Sequence, residues 1–153
     1  MAALRESMKD MANFIRSVAY NEKVFRYLLE SESKRSERSG HFYQILLVYH
    51  TNAQGAIVRM DSNVAKKVIL ALSRCLRSTD YIGWYRAEHV VGGVLTVVGR
   101  DSVADVFNRL RPRLREILKA ELGVEESGCL QIQVCQHHEL EGVELGEQSR
   151  FVN

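Results

Sequence analysis

Between Tyr43 and His50 the chain reads Tyr-Gln-Ile-Leu-Leu-Val-Tyr-His, a short apolar run rich in branched and aromatic residues. Side chains of that kind pack best on a pleated surface, and an uninterrupted run of them predicts a buried central strand. A central strand needs a partner on each edge, and the remaining sequence supplies candidates. Asp80 to Tyr85 and Val90 to Val98 read as two further strands, and Leu130 to Cys135 alternates as a strand with one wet face. Between them lie two helical patterns. Asp61-Ser-Asn is positioned to cap a helix whose Val64, Val68, Ile69, Leu72 and Leu76 face a core. Asp101-Ser opens the other, which carries Val103, Val106, Phe107, Leu110, Leu114 and Leu118, with Pro112 expected to kink or break it. Asn52-Ala-Gln-Gly55 is a loop, and the acidic tail from Glu139 is expected to be loosely held.

Residues 3 to 34 read as helix, ending near Ser39 ahead of Gly40. Leu4, Met8, Met11, Ile15 and Val18 keep a coiled-coil rhythm, and the pattern then widens to Val24, Phe25, Leu28 and Leu29. Two readings fit: an amphipathic helix docked on its own domain, or a parallel dimerisation arm. The order is therefore a helix followed by strand–helix–strand–strand–helix–strand. That order predicts an α+β fold, a ferredoxin-like, palm-type antiparallel sheet with helices on one face and an added N-terminal helix. The expected division is an N-terminal helix over 1–39, one domain over 40–138 and a tail over 139–153.

With 153 residues, 46% of them hydrophobic, the chain can bury one core of ordinary size. A formal charge of +2 provides no field that would draw in nucleic acid. Arg109, Arg111, Arg113 and Arg115, with Lys119, lack interleaved aromatics and read as a solvated helix face. No stretch has the length of a membrane span and no signal peptide is evident, so a cytoplasmic protein is expected. Three cysteines without CxxC spacing suit reduced thiols. Cys75 reads as core, and Cys129 and Cys135, six apart, would share one strand face without making a zinc site. His137-His138 could join His41, His50 or His89 in a metal site, but a strand-end histidine pair reads as solvent-facing, and no metal or cofactor is expected. Trp84 and Tyr85 read as core or dimer surface.

One motif pair carries more information. Arg77-Ser-Thr-Asp80 stands five residues ahead of Arg86-Ala-Glu-His-Val90. This resembles the inhibitory-site and active-site signature of bacterial GGDEF domains, in which Arg-x-x-Asp precedes Gly-Gly-Asp/Glu-Glu-Phe. The likeness extends over residues 22 to 138. Lys34-Arg35-x-x-Arg38-x-Gly40-x-Phe42 is similar to the family's entry helix, and Ile45-Leu-Leu to its Leu-Leu-Leu-Asp-Ile-Asp strand. Arg109-Leu-Arg111 is similar to an Arg-Ile-Arg turn, and Leu130-Gln-Ile-Gln-Val to Val-Thr-Val-Ser-Ile-Gly.

Joining two GTP molecules requires carboxylates that hold divalent metals. By the resemblance, Val48 stands where the first carboxylate belongs, with His50 at the next acidic position. Arg86 and Ala87 replace the two glycines that let nucleotide approach the backbone. Glu88 is the acidic survivor, and His89 and Val90 complete the altered turn. Gly92-Gly93 is a decoy, because no acidic residue follows and a strand glycine marks a bulge or close packing. By the resemblance, the loop between strand and helix is also about three residues shorter than the family's, which removes much of the guanine-recognition segment. The resemblance implies a catalytically inactive GGDEF-like regulatory protein, not an enzyme, in a bacterial signalling or exopolysaccharide system. It further implies that Arg77, Asp80 and Arg109 could hold cyclic di-GMP, with arginine forks on guanine edges and phosphates. The competing readings are that Asp80 merely braces its strand while Arg77 is solvated, and that the chain is a ligand-free interaction module contacting a homodimer mate or another protein.

Overall fold

The computed structural model describes residues 19–40, 42–77, 80–97, 103–135 and 151–152. In chain order the elements are β1 (Ala19–Tyr20), α1 (Glu22–Ser39), β2 (Phe42–Thr51), β3 (Ile57–Val58) and α2 (Ser62–Cys75). There follow β4 (Tyr81–Arg86), β5 (Val90–Val97), α3 (Val103–Leu122), α4 (Val124–Gly128), β6 (Leu130–Cys135) and β7 (Phe151–Val152). The sheet runs β1-β4-β5-β2-β3-β7, with β6 also on β2. Its four longer strands pair antiparallel in the order β4-β5-β2-β6. This is the expected βαββαβ palm in a mixed α+β fold.

β2 is the central strand. It pairs with β5 from Phe42 to Tyr49 and with β6 from Ile45 to His50, and Ile45, Leu46, Leu47 and Val48 are fully buried. Consecutive buried residues require cover on both faces. On one face Leu46 and Val48 meet Val64, Val68 and Leu72 of α2 and Leu114 and Leu118 of α3. On the other, Ile45 and Leu47 meet Phe25 and Leu29 of α1 with Val90, Val94 and Tyr85. The two helices of the palm thus share a face as expected, and α1 covers the opposite one. α2 and α3 run antiparallel, since Lys67 donates to the Glu121 carbonyl and Arg113 to that of Arg74.

The helical reading of 3–34 needs correcting where the structure describes it. Ala19 and Tyr20 pair in parallel with Ile82 and Gly83, and Asn21 then caps α1 by accepting from the Val24 N–H at 2.9 Å. A polar cap directly after an edge strand interrupts the apolar rhythm. The seam from Leu4 to Val18 lies outside the described residues. At the other end, α1 stops at Gly40, whose φ of 72° suits a left-handed cap. α3 passes through Pro112 without a break. The proline lacks an N–H for the Asn108 carbonyl, but Asn108 is exposed and water can take the bond. Asp61 occupies the N-cap of α2 without making the predicted side-chain bond. Glu139 to Arg150 lie outside the described residues, but Phe151 and Val152 pair with Ile57 and Val58, which ties the chain's end to the sheet.

Gly83 and Gly92 face each other across β4 and β5, and the Phe25 ring lies over the pair. A Cβ on Gly83 would come within 2.7 Å of the Phe25 ring and 2.8 Å of the Tyr20 carbonyl oxygen. Gly92 therefore reflects the close packing expected of a strand glycine. Gly83→Ala should cost about 1–3 kcal/mol, because ring and backbone must both yield. Urea unfolding should show this as a lower midpoint at unchanged slope.

Candidate functional site

The β4–β5 hairpin carries both motifs, one at each end. At the tip, Arg86 to His89 forms a turn closed by the His89 N–H to the Arg86 carbonyl at 3.1 Å. Glu88 adopts φ 65°, a left-handed conformation that costs a non-glycine residue about 1 kcal/mol. Neighbouring segments hold it there. The Glu22 carboxylate, in the first turn of α1, accepts from the Ala87 N–H at 2.7 Å. The Met60 N–H donates to the Glu88 carbonyl at 2.7 Å, and Arg59 pairs with the Glu88 carboxylate at 2.7 Å. The His89 ring contacts the Ala87 carbonyl at 2.9 Å and is nearly buried. Arg26 donates to the Tyr85 carbonyl, with its guanidinium 4.4 Å from the Tyr85 ring centre.

This tip borders an open pocket of about 650 Å³. α2 contributes Ser62, Ala65, Lys66 and Ile69, one stripe of its first two turns, facing Trp84, Ala87 and Glu88. Val48, one pair from the tip in register with Val91, is sealed in the core. No group of three or more His, Cys, Asp or Glu able to hold a metal occurs among the described residues. Cys129 is exposed and Cys135 buried, so they do not present the shared face expected of them. Tyr85 is buried in the core, and Trp84, partly buried, packs against it and lines the pocket.

At the hairpin's other end, the Asp80 side chain is 2% exposed. One carboxylate oxygen accepts from the Arg77 N–H at 2.9 Å. The other accepts from the Thr96 N–H at 3.2 Å and hydroxyl at 3.3 Å. The Asp80 N–H returns a bond to the Arg77 carbonyl at 2.9 Å. The Arg77 guanidinium, 54% exposed, donates to the Thr96 carbonyl and lies 3.7 Å from Asp80. Asp80 thereby clamps the end of α2 to the end of β5. Arg109 is exposed, one turn before Arg113, which donates to the Arg74 carbonyl near the end of α2.

The basic run of α3 is less solvated than its sequence suggests. Arg115 is half-buried and donates to the Ser127 and Leu130 carbonyls, and burial lowers its pKa below the usual arginine value. Arg74 pairs with Glu121 at 3.1 Å. Burial pushes the Cys75 thiol up, which suits an inert core thiol. Sequence reasoning missed Glu22, Arg59 and Lys66. The available signal was position alone: each lies beside a helix start.

Three solved structures share this arrangement. A DGC protein from Thermotoga maritima superposes with a TM-score of 0.60 at 18% identity, over 88% of this chain and 96% of that one. The GGDEF domain of DgcB from Caulobacter crescentus, in complex with c-di-GMP, gives 0.53 at 12% identity, over 88% and 90%. The chain has the GGDEF fold. The diguanylate cyclase SiaD from Pseudomonas aeruginosa, in complex with its activator SiaC, gives 0.52 at 15% identity, over 97% of this chain and 63% of that one. No protein-family model and no curated protein matches the sequence. The tip of β4–β5 is tied to α1 through Glu22 and to the Arg59–Met60 segment that follows β3.

Asp80→Ala should destabilise the protein by about 2–4 kcal/mol, since it orphans two backbone amides and a hydroxyl. Arg77→Ala, at a half-exposed site, should cost about 0.5–1.5 kcal/mol. Thermal and urea unfolding of the two variants will rank them, and equal costs would contradict the clamp.

Proposed function

We propose that this chain is a catalytically inactive GGDEF-fold regulatory module that works by binding, with its output carried through contact with another protein. Val48 carries the reading. It fills the place the family gives to a metal carboxylate and is enclosed by apolar neighbours, where an ion would cost several kcal/mol. Glu88 adds support, because its carboxylate is already paired with Arg59. Arg86 and Ala87 place side chains where close nucleotide approach calls for glycine. The carboxylate nearest Glu88 at the turn, that of Glu22, is taken up by the Ala87 N–H, so no pair of open carboxylates stands where the family holds its metals.

A neighbour of the same fold binds a protein activator, and another binds c-di-GMP. The first kind of contact fits this chain better. A guanine edge would have to displace the amide and hydroxyl bonds that Asp80 already accepts. The second reading, a cyclic di-GMP receptor, rests on the exposed Arg77 guanidinium and on exposed Arg109, one turn before the Arg113 that reaches the Arg74 carbonyl.

Incubation with GTP and magnesium or manganese should yield no cyclic dinucleotide, and any enzyme-dependent product overturns inactivity. Calorimetry with cyclic di-GMP, on protein freed of copurified nucleotide, should give no heat at tens of micromolar. If heat does appear, Arg77→Ala decides its source. A loss of about 1.5–3 kcal/mol establishes the receptor reading at this site, and no loss moves the ligand elsewhere.

A further inference from the structure

We propose that the outward face of α1 is a two-fold contact with a second copy of this chain. α1 turns Phe25, Leu29 and Glu32 inward, and its opposite side carries Lys23, Tyr27, Glu30 and Lys34. Tyr27 is 71% exposed, the largest such value for a big apolar side chain among the described residues. Val24 and Tyr20, 38% and 41% exposed, extend the apolar strip towards β1. A solvated helix has no use for such a strip, and contiguous exposed apolar surface marks contact sites.

The charges flanking Tyr27 identify the occupant. Lys23 and Glu30 lie seven residues apart, about 10 Å along the axis, too far to pair within the helix. Now let a second α1 run antiparallel with the two-fold axis at Tyr27. Lys23 lies four residues to one side of that axis and Glu30 three to the other. Each Lys23 then falls within one residue rise, about 1.5 Å, of the Glu30 level on the facing helix. Two opposite-charge pairs form, related by symmetry, with the Tyr27 rings meeting between them. A parallel arrangement would set Lys23 against Lys23 and Glu30 against Glu30. The stripe is self-complementary in one orientation only, as an isologous contact requires.

α1 is 18 residues long, about 27 Å, so one helix pair belongs at the small end of specific interfaces and should dissociate in the micromolar range. The proposal deepens the binding-module reading by naming a partner, and its readout is mass, independent of any GTP assay. Sedimentation of the full chain from low to high micromolar concentration should show a monomer–dimer equilibrium. Lys23→Glu or Glu30→Lys alone should each weaken it about tenfold or more, and the double variant, which exchanges the charges, should restore it to near the original value. The altered side chains are exposed, so both variants should fold. Wild-type protein that stays monomeric overturns the proposal. So do single variants that dimerise as well as wild type, the result expected if residues 1–18 or another surface hold the dimer. A double variant no tighter than the singles overturns it as well.

Discussion

Every layer of this molecule hangs on the burial of β2 from both faces and both edges. Four consecutive residues, Ile45 to Val48, have no exposed surface, and each contributes about 1.5–3 kcal/mol by leaving water. To cover them the chain must place α2 and α3 on one side and α1 on the other. Val48 belongs to this run. In the proposed reading, the residue that completes the core also stands at the position where the family places a metal carboxylate. A carboxylate at an equally enclosed position would be stable only if a cation or several donors met it, and the core cluster to which Val48 belongs consists of apolar side chains, Leu46, Met60, Val64 and Val91 among them.

The β4–β5 hairpin is held at three points. Glu22, Arg59 and Met60 secure its tip, the Phe25 ring lies over the Gly83–Gly92 pair in its middle, and Asp80 locks its far end to Thr96. Two of these anchors, Glu22 and Phe25, sit on the first turn of α1. A displacement of α1 would thus be felt at the turn and at the middle of the hairpin together. The hairpin is thus bonded at both ends and covered at its middle, and Arg86 and Ala87 leave no open glycine backbone at its tip.

The strands and helices of the palm could be read from periodicity, because each buries a long apolar pattern. Leu130 to Cys135 alternated clearly, and Tyr43 to His50 was too apolar to be anything but central. β1, β3 and β7 could not be read, since two-residue strands have no period. The GGDEF resemblance rested on the order of weak motifs, and the superposed structures bear out the fold it implied.

The motif residues show where sequence reading ends. Residue type alone determined that Val48, Arg86 and Ala87 lack metal-binding oxygens and open glycine backbone, since no packing can give a valine a carboxylate. Whether Asp80 points outward or inward was a matter for the tertiary structure. Its direction depends on where the Thr96 amide and hydroxyl stand, sixteen residues away in sequence. Arg115 follows the same rule, spent on the Ser127 and Leu130 carbonyls that only folding brings near. A side chain's chemistry is local, but the partners that satisfy it are assembled by the sheet.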